Sequence, residues 1–119
     1  MTFKLNHVHL KTKNPERTAK FYVDMFGANS AGPTTSGGMR LNLHGLSLNV
    51  SDFMETQKRK QKYGMEHIAI ETDEFDVVVA NVKAQGVEII EMIAAPGVRR
   101  VCFFEGPDNV EIELMEMKI

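Results

Sequence analysis

The chain has 119 residues, enough for one domain at roughly 100–200 residues per domain and enough to bury a core without disulfide or metal staples. Hydrophobic residues make up 43% and charged residues 25%, a globular composition that excludes disorder, collagen-like repeats and coiled coil. Fourteen basic and sixteen acidic side chains give a net charge of -2, which offers no electrostatic footprint for nucleic acid or an anionic membrane.

The first segment, Phe3 to Lys11, places Phe3, Leu5, Val8 and Leu10 among polar residues and predicts a strand. Asn14-Pro15 predicts a helix start, because the Asn side chain can accept orphan N–H groups and proline has no N–H to lose. Thr18, Phe21, Tyr22 and Met25 fall on one stripe, and Gly27 supplies the left-handed residue that ends the helix near Phe26. Ala31 to Gly38 has small, turn-forming residues without a period and is expected to be a loop with a mobile tip. Met39 to Val50 alternates around His44-Gly45, which predicts a hairpin burying Leu41, Leu43, Leu46, Leu48 and Val50 and turning Arg40, Asn42, Ser47 and Asn49 to the other face. The charged stretch that follows is expected to be a solvated linker.

The second half repeats this order. HIAIET predicts a strand, and Asp73 is expected to cap a helix with Phe75, Val78, Val79 and Val82 on one face, ended by Gly86. Three strands follow, separated by Ala95-Pro96-Gly97 and by Gly106-Pro107-Asp108-Asn109. His7 and His67 lie 60 residues apart at matching places, and Gly27 and Gly86 lie 59 apart. The unit is therefore βαβββ used twice, with module one at about 1–51, a linker at about 52–64 and module two at about 65–119 within one domain. The fold class is α+β.

Two strand histidines and the carboxylate of Glu113 on the last strand are the donor types that suit a first-row divalent metal, although no short ligand motif such as HExxH accompanies them. His9 shares a strand face with His7 and is a candidate for proton transfer, since imidazole titrates near neutral pH. Glu111 shares a face with Glu113 and is a second candidate base. Arg99 and Arg100 alternate faces, so one of them can meet an anionic substrate group. Against each stands a plainer role: a structural strand histidine, a solvated strand glutamate, a surface salt bridge. His44 is expected to be solvated in its turn, and Cys102 to be a small buried hydrophobe.

HVHLKTKNPERTAKFYVDMFG resembles the opening module of the vicinal oxygen chelate superfamily, which includes glyoxalase I, bleomycin resistance proteins, extradiol dioxygenases and methylmalonyl-CoA epimerase. EHIAIETDEFDVVVANVKAQGVEI and VCFFEGPDNVEIEL resemble its second module. The resemblance implies two βαβββ modules forming a cup-shaped mixed sheet around a metal site, with His7, His67 and Glu113 as ligands. A fourth ligand from the last strand of module one would fall on Asn49 or Ser47, poor metal donors, which are expected to contact substrate together with Arg99.

The function so implied is a metal-dependent lyase or isomerase of the glyoxalase type, using one divalent ion (Zn, Ni, Co, Mn or Fe) to chelate vicinal oxygens of a small substrate and stabilise an enolate or oxyanion. The alternatives are a non-haem iron ring-cleaving dioxygenase on the same triad and a metal-free protein that sequesters a small molecule or antibiotic. A homodimer is expected, because a curved module needs a partner and modules of this superfamily pair within or across chains. One cysteine and no signal-peptide pattern point to the cytoplasm. No membrane partner is expected.

Overall fold

The computed structural model describes residues 1–34 and 37–117, and the predicted loop tip at residues 35–36 lies outside them. The described chain forms two compact units, His7–Glu66 and Met1–Asn6 with His67–Ile119. No helix among the described residues is long and apolar enough to cross a membrane.

In the first unit, β1 (Phe3–Lys11, from His7 onward), α1 (Pro15–Phe26), β2 (Asn29–Pro33), β3 (Met39–Leu43) and β4 (Leu46–Ser51) build a mixed sheet in the order β2-β3-β4-β1. Asn14 Oδ1 accepts the Arg17 N–H at 3.1 Å, capping α1 as expected. Gly27 takes the left-handed conformation (φ 72°) at the helix end, and the following Ala28 N–H reaches back to the Tyr22 carbonyl at 3.1 Å. His44 is not simply solvated: its Nε2 lies 2.6 Å from the Phe26 carbonyl oxygen and so satisfies an orphan acceptor at the end of α1.

The β3–β4 hairpin turns through His44 and Gly45, both at positive φ (53° and 99°), as a two-residue turn of the I′ kind requires. Its register pairs Arg40 with Asn49, Leu41 with Leu48 and Asn42 with Ser47, and the parallel β1–β4 pairing sets Val8 beside Leu48 and His9 beside Asn49. Val8, Ala19, Ala28, Leu41, Leu48 and Val50 form the core, so the predicted faces of the hairpin hold.

Three local expectations give way to tertiary packing in this unit. Residues 31–33 belong to a strand rather than a loop, because β3 offers β2 a pairing edge, with an irregularity between Ser30 and Pro33 that accommodates the missing proline donor. Helix α1 buries Ala19, with Thr18 and Tyr22 half-buried, whereas Phe21 and Met25 are 51% and 65% exposed. The small residue lets the helix approach the sheet, and the bulky ones splay outward, Phe21 against the rings of Tyr22 and Phe26. The charged linker is also partly interior: the Arg59 side chain is buried against Glu66 at 3.3 Å, while Phe53 and Tyr63 stack at the surface with centroids 4.2 Å apart.

In the second unit, β5 (Gly64–Thr72, from His67 onward), α2 (Phe75–Ala84), β6 (Ile89–Ile93), β7 (Val101–Glu105) and β8 (Glu111–Glu116) follow the same plan, with strand order β5-β8-β7-β6. Strands β5 and β8 are parallel, and the other two pairings are antiparallel. Phe75, Val78, Val79, Cys102 and Leu114 form its core, with Val82 packed against them. The α2 stripe is as predicted, but its cap is not: Glu74 occupies the N-cap without a side-chain bond, and Asp73 Oδ1 instead accepts the Thr2 N–H at 2.8 Å. That hydrogen bond holds the Asp73 carboxyl below its ordinary range.

Candidate functional site

Strand alternation decides which side chains share a face in each unit. In the first, Val8 and Leu10 pack toward the core, so His7, His9 and Lys11 stand on the opposite side of β1, with Asn49 in register beside His9. All three β1 side chains are buried. The His7 and His9 rings meet edge-on with centroids 5.9 Å apart. His9 Nε2 lies 2.7 Å from Ser51 Oγ, and the Lys11 ammonium reaches the Asp52 carbonyl at 3.4 Å. Ser47 occupies the same polar face of β4 as Asn49, two residues away.

Lys11 and Ser51 escaped the sequence reading. Their parity with His7 and Asn49 was available as a signal, but a lysine at a strand end and a serine before a polar linker carry no mark of burial. At 2% and 4% exposure they belong to this polar face.

In the second unit the parallel β5–β8 register pairs His67 with Glu111 and Ala69 with Glu113. The imidazole therefore stands between two carboxylates on one face: its Nε2 lies 3.1 Å from Glu113 Oε1, and its Nδ1 lies 3.7 Å from Glu111 Oε2. All three residues are buried, and the His67 and Phe103 rings meet in a T-shaped arrangement with centroids 5.7 Å apart. Glu113, on β8, is also in register with Phe103 of β7. Arg99 and Arg100 do divide between faces. Arg99 meets Glu71 at 3.3 Å, and Asn6 Nδ2 donates to the same carboxylate at 3.0 Å. Arg100 turns to the helix side, where it bonds Asp76 at 2.8 Å and Glu116 at 2.7 Å and covers the Phe75 ring. Those bonds from the guanidinium hold both carboxyls below their ordinary range.

The donor set fits a divalent ion on chemical grounds. Ligand atoms each about 2.0–2.2 Å from one ion stand about 3 Å apart when adjacent, and the His67 Nε2 to Glu113 Oε1 separation of 3.1 Å has that span. A carboxylate bonded to the other ring nitrogen is the usual support for a ligating histidine; Glu111 Oε2 stands on that side at 3.7 Å, beyond hydrogen-bond distance. Cys102 contributes nothing to this face: it is fully buried in the core, and burial pushes its thiol up to about 11.

Comparisons with known proteins agree with this architecture. No curated protein matches the sequence. Among solved structures, a hypothetical protein from Bacillus halodurans superposes with a TM-score of 0.75 at 21% identity, covering 100% of this chain and 97% of that one. Methylmalonyl-CoA epimerase from Mycobacterium tuberculosis gives 0.73 at 17% identity, covering 97% and 88%. A glyoxalase/bleomycin resistance protein/dioxygenase superfamily member from Vibrio splendidus gives 0.70 at 13% identity, covering 98% and 100%. These likenesses establish the fold. Residues 4–114 match the model of one family, and the chain belongs to the glyoxalase/bleomycin resistance protein/dioxygenase superfamily.

Proposed function

We propose that the protein is a metal-dependent enzyme of the lyase or isomerase type, with residues 1–119 acting as one glyoxalase-like domain on a small substrate that offers two neighbouring oxygens. The observation that carries this reading is the buried His67 imidazole flanked by Glu113 on one nitrogen and Glu111 on the other. His7 joins His67 and Glu113 as the third ligand, a reading supported by its equivalent place on the first strand of the repeat. A divalent ion held there supplies Lewis-acid stabilisation of negative charge developing on substrate oxygen.

The chain's own groups do the rest. His9 is proposed to move a proton: its ring is held against Ser51 Oγ, and imidazole can both take up and release a proton at its ring nitrogens. Glu111, whose Oε2 lies 3.7 Å from His67 Nδ1, is the second group proposed to exchange a proton. Asn49 and Ser47 are proposed to contact substrate, and Arg99 to meet an anionic part of it in competition with Glu71. The isomerase branch draws support from the epimerase structures among the similar folds, one of them solved with methylmalonyl-CoA.

Metal analysis after reconstitution with Zn, Ni, Co, Mn and Fe(II) in turn tests the reading. Stoichiometric binding that His67→Ala abolishes is expected. Binding of none of the five would overturn the enzyme reading in favour of a metal-free small-molecule binder, and exclusive retention of redox-active iron would replace it with the dioxygenase.

A further inference from the structure

In the second unit the strand register sets two unlike neighbours beside the pair of His67 and Glu113. Glu113 lies in one row with Phe103 and Glu91, across β8, β7 and β6. Side chains two residues along a strand return to the same face about 7 Å away, so that row is flanked by two others. On one flank stand His67, Glu111 and Glu105, a row that runs out into carboxylates. On the other flank stand Met115, Val101 and Ile93, all apolar. Cys102 and Leu114, which alternate with these residues along β7 and β8, pack into the core with Phe75 and Val78 of α2. The apolar row therefore belongs to the face that carries Glu113 and not to the packing beneath the helix. It is also reachable: Met115 and Val101 are half-buried, and Ile93 is 39% exposed.

We infer that Met115, Val101 and Ile93 receive the body of the substrate, an apolar chain or ring joined to its two chelating oxygens. The inference rests on the metal-enzyme reading above and narrows it to a class of amphipathic substrates. A ligand whose oxygens meet an ion at His67 and Glu113 can extend along the strands in two directions. Toward Glu111 and Glu105 an apolar body would strip water from carboxylates and return no hydrogen bond, which is costly. Toward Met115 the same body and the row beneath it both leave water, which is favourable in proportion to the apolar area covered. The direction of the substrate over this face is thus set by side-chain chemistry one register step from the ligands.

The test uses the full chain loaded with Co(II), whose visible spectrum reports ligand exchange, titrated with acetohydroxamate and with octanohydroxamate. Both present the same two neighbouring oxygens, and only the second carries a long apolar chain. The wild type is expected to bind octanohydroxamate about tenfold or more tighter, since each buried methylene is worth roughly fourfold. Val101→Thr combined with Met115→Gln keeps the bulk of the row and makes it polar. In that variant octanohydroxamate should lose most of its advantage, while acetohydroxamate stays within about twofold. Should the combined variant not fold by circular dichroism, Ile93→Ser at the exposed end of the row should cut the advantage by about threefold. Equal affinity of the wild type for the two hydroxamates, or an advantage that survives the substitutions, would overturn the apolar row while leaving the metal reading in place. If neither hydroxamate alters the wild-type Co(II) spectrum, the metal reading itself falls, and the role of the row with it.

Discussion

The Nε2 of His67 and the Oε1 of Glu113 stand 3.1 Å apart although the two residues are not register partners. In the parallel β5–β8 pairing His67 lies beside Glu111 and Glu113 lies beside Ala69, so the imidazole leans across to a carboxylate two residues further along the strand. Glu113→Gln keeps the shape and removes the negative charge. Metal retention measured by competition with a chelator should fall by more than the roughly 10–100-fold that loss of a supporting residue costs. Unchanged retention would show that the pair is a structural contact.

Glycine at position 38 is dictated by close approach. A Cβ there would lie 2.5 Å from the Val50 carbonyl oxygen and 2.8 Å from Ser51 Cβ, neither of which can yield cheaply. Gly38→Ala is expected to destabilise the protein by about 1–3 kcal/mol through overpacking. It should also displace Ser51 and thereby loosen the His9 ring. Urea unfolding measures the first effect, and the His9 imidazole resonances in NMR report the second.

Arg100 joins α2 to β8 through Asp76 and Glu116. Both carboxyls titrate below their unfolded values, so the stability they confer is present above the ordinary carboxylate range and is lost as pH falls through the lowered folded values. Arg100→Met should remove that dependence, and its acid unfolding midpoint should move to higher pH. Identical acid transitions by circular dichroism would show that these exposed pairs contribute nothing measurable.

Cys102 should resist alkylation by iodoacetamide at pH 8 in the folded protein and react on unfolding, since the thiolate is the reactive form and burial raises its pKa to about 11. The unfolded thiol ionises first as pH rises. Its contribution to stability is therefore complete below about 8.5 and lost as pH climbs toward 11. Rapid labelling of the native protein would place the residue outside the core.

A homodimer is expected, and mixing His7→Ala chains with Glu113→Ala chains distinguishes its two forms. If ligands are drawn from both chains, the mixture recovers metal binding that neither parent has. If each chain supplies its own, the mixture stays defective. A monomer with full metal occupancy in sedimentation would remove the dimer altogether.

Local chemistry settled the elements whose signals act over a few residues. Asn14-Pro15, Gly27 and His44-Gly45 each impose a cap or a turn through their own side chain or backbone, and all three appear where the sequence places them. The repeat was equally legible, because strand alternation and helix stripes recur with nearly constant spacing. What the sequence could not decide depended on partners far along the chain. Strand β2 exists because β3 pairs with it, Asp73 abandons its cap for the Thr2 N–H, and α1 turns Ala19 rather than Phe21 to the sheet. The candidate site divides the same way: the types and parity of His67, Glu111 and Glu113 are written in the chain, whereas only the parallel β5–β8 register sets one imidazole between two carboxylates. Periodicity assigns a side chain to a face, but the neighbouring strand and its register decide what stands beside it, and those are tertiary choices.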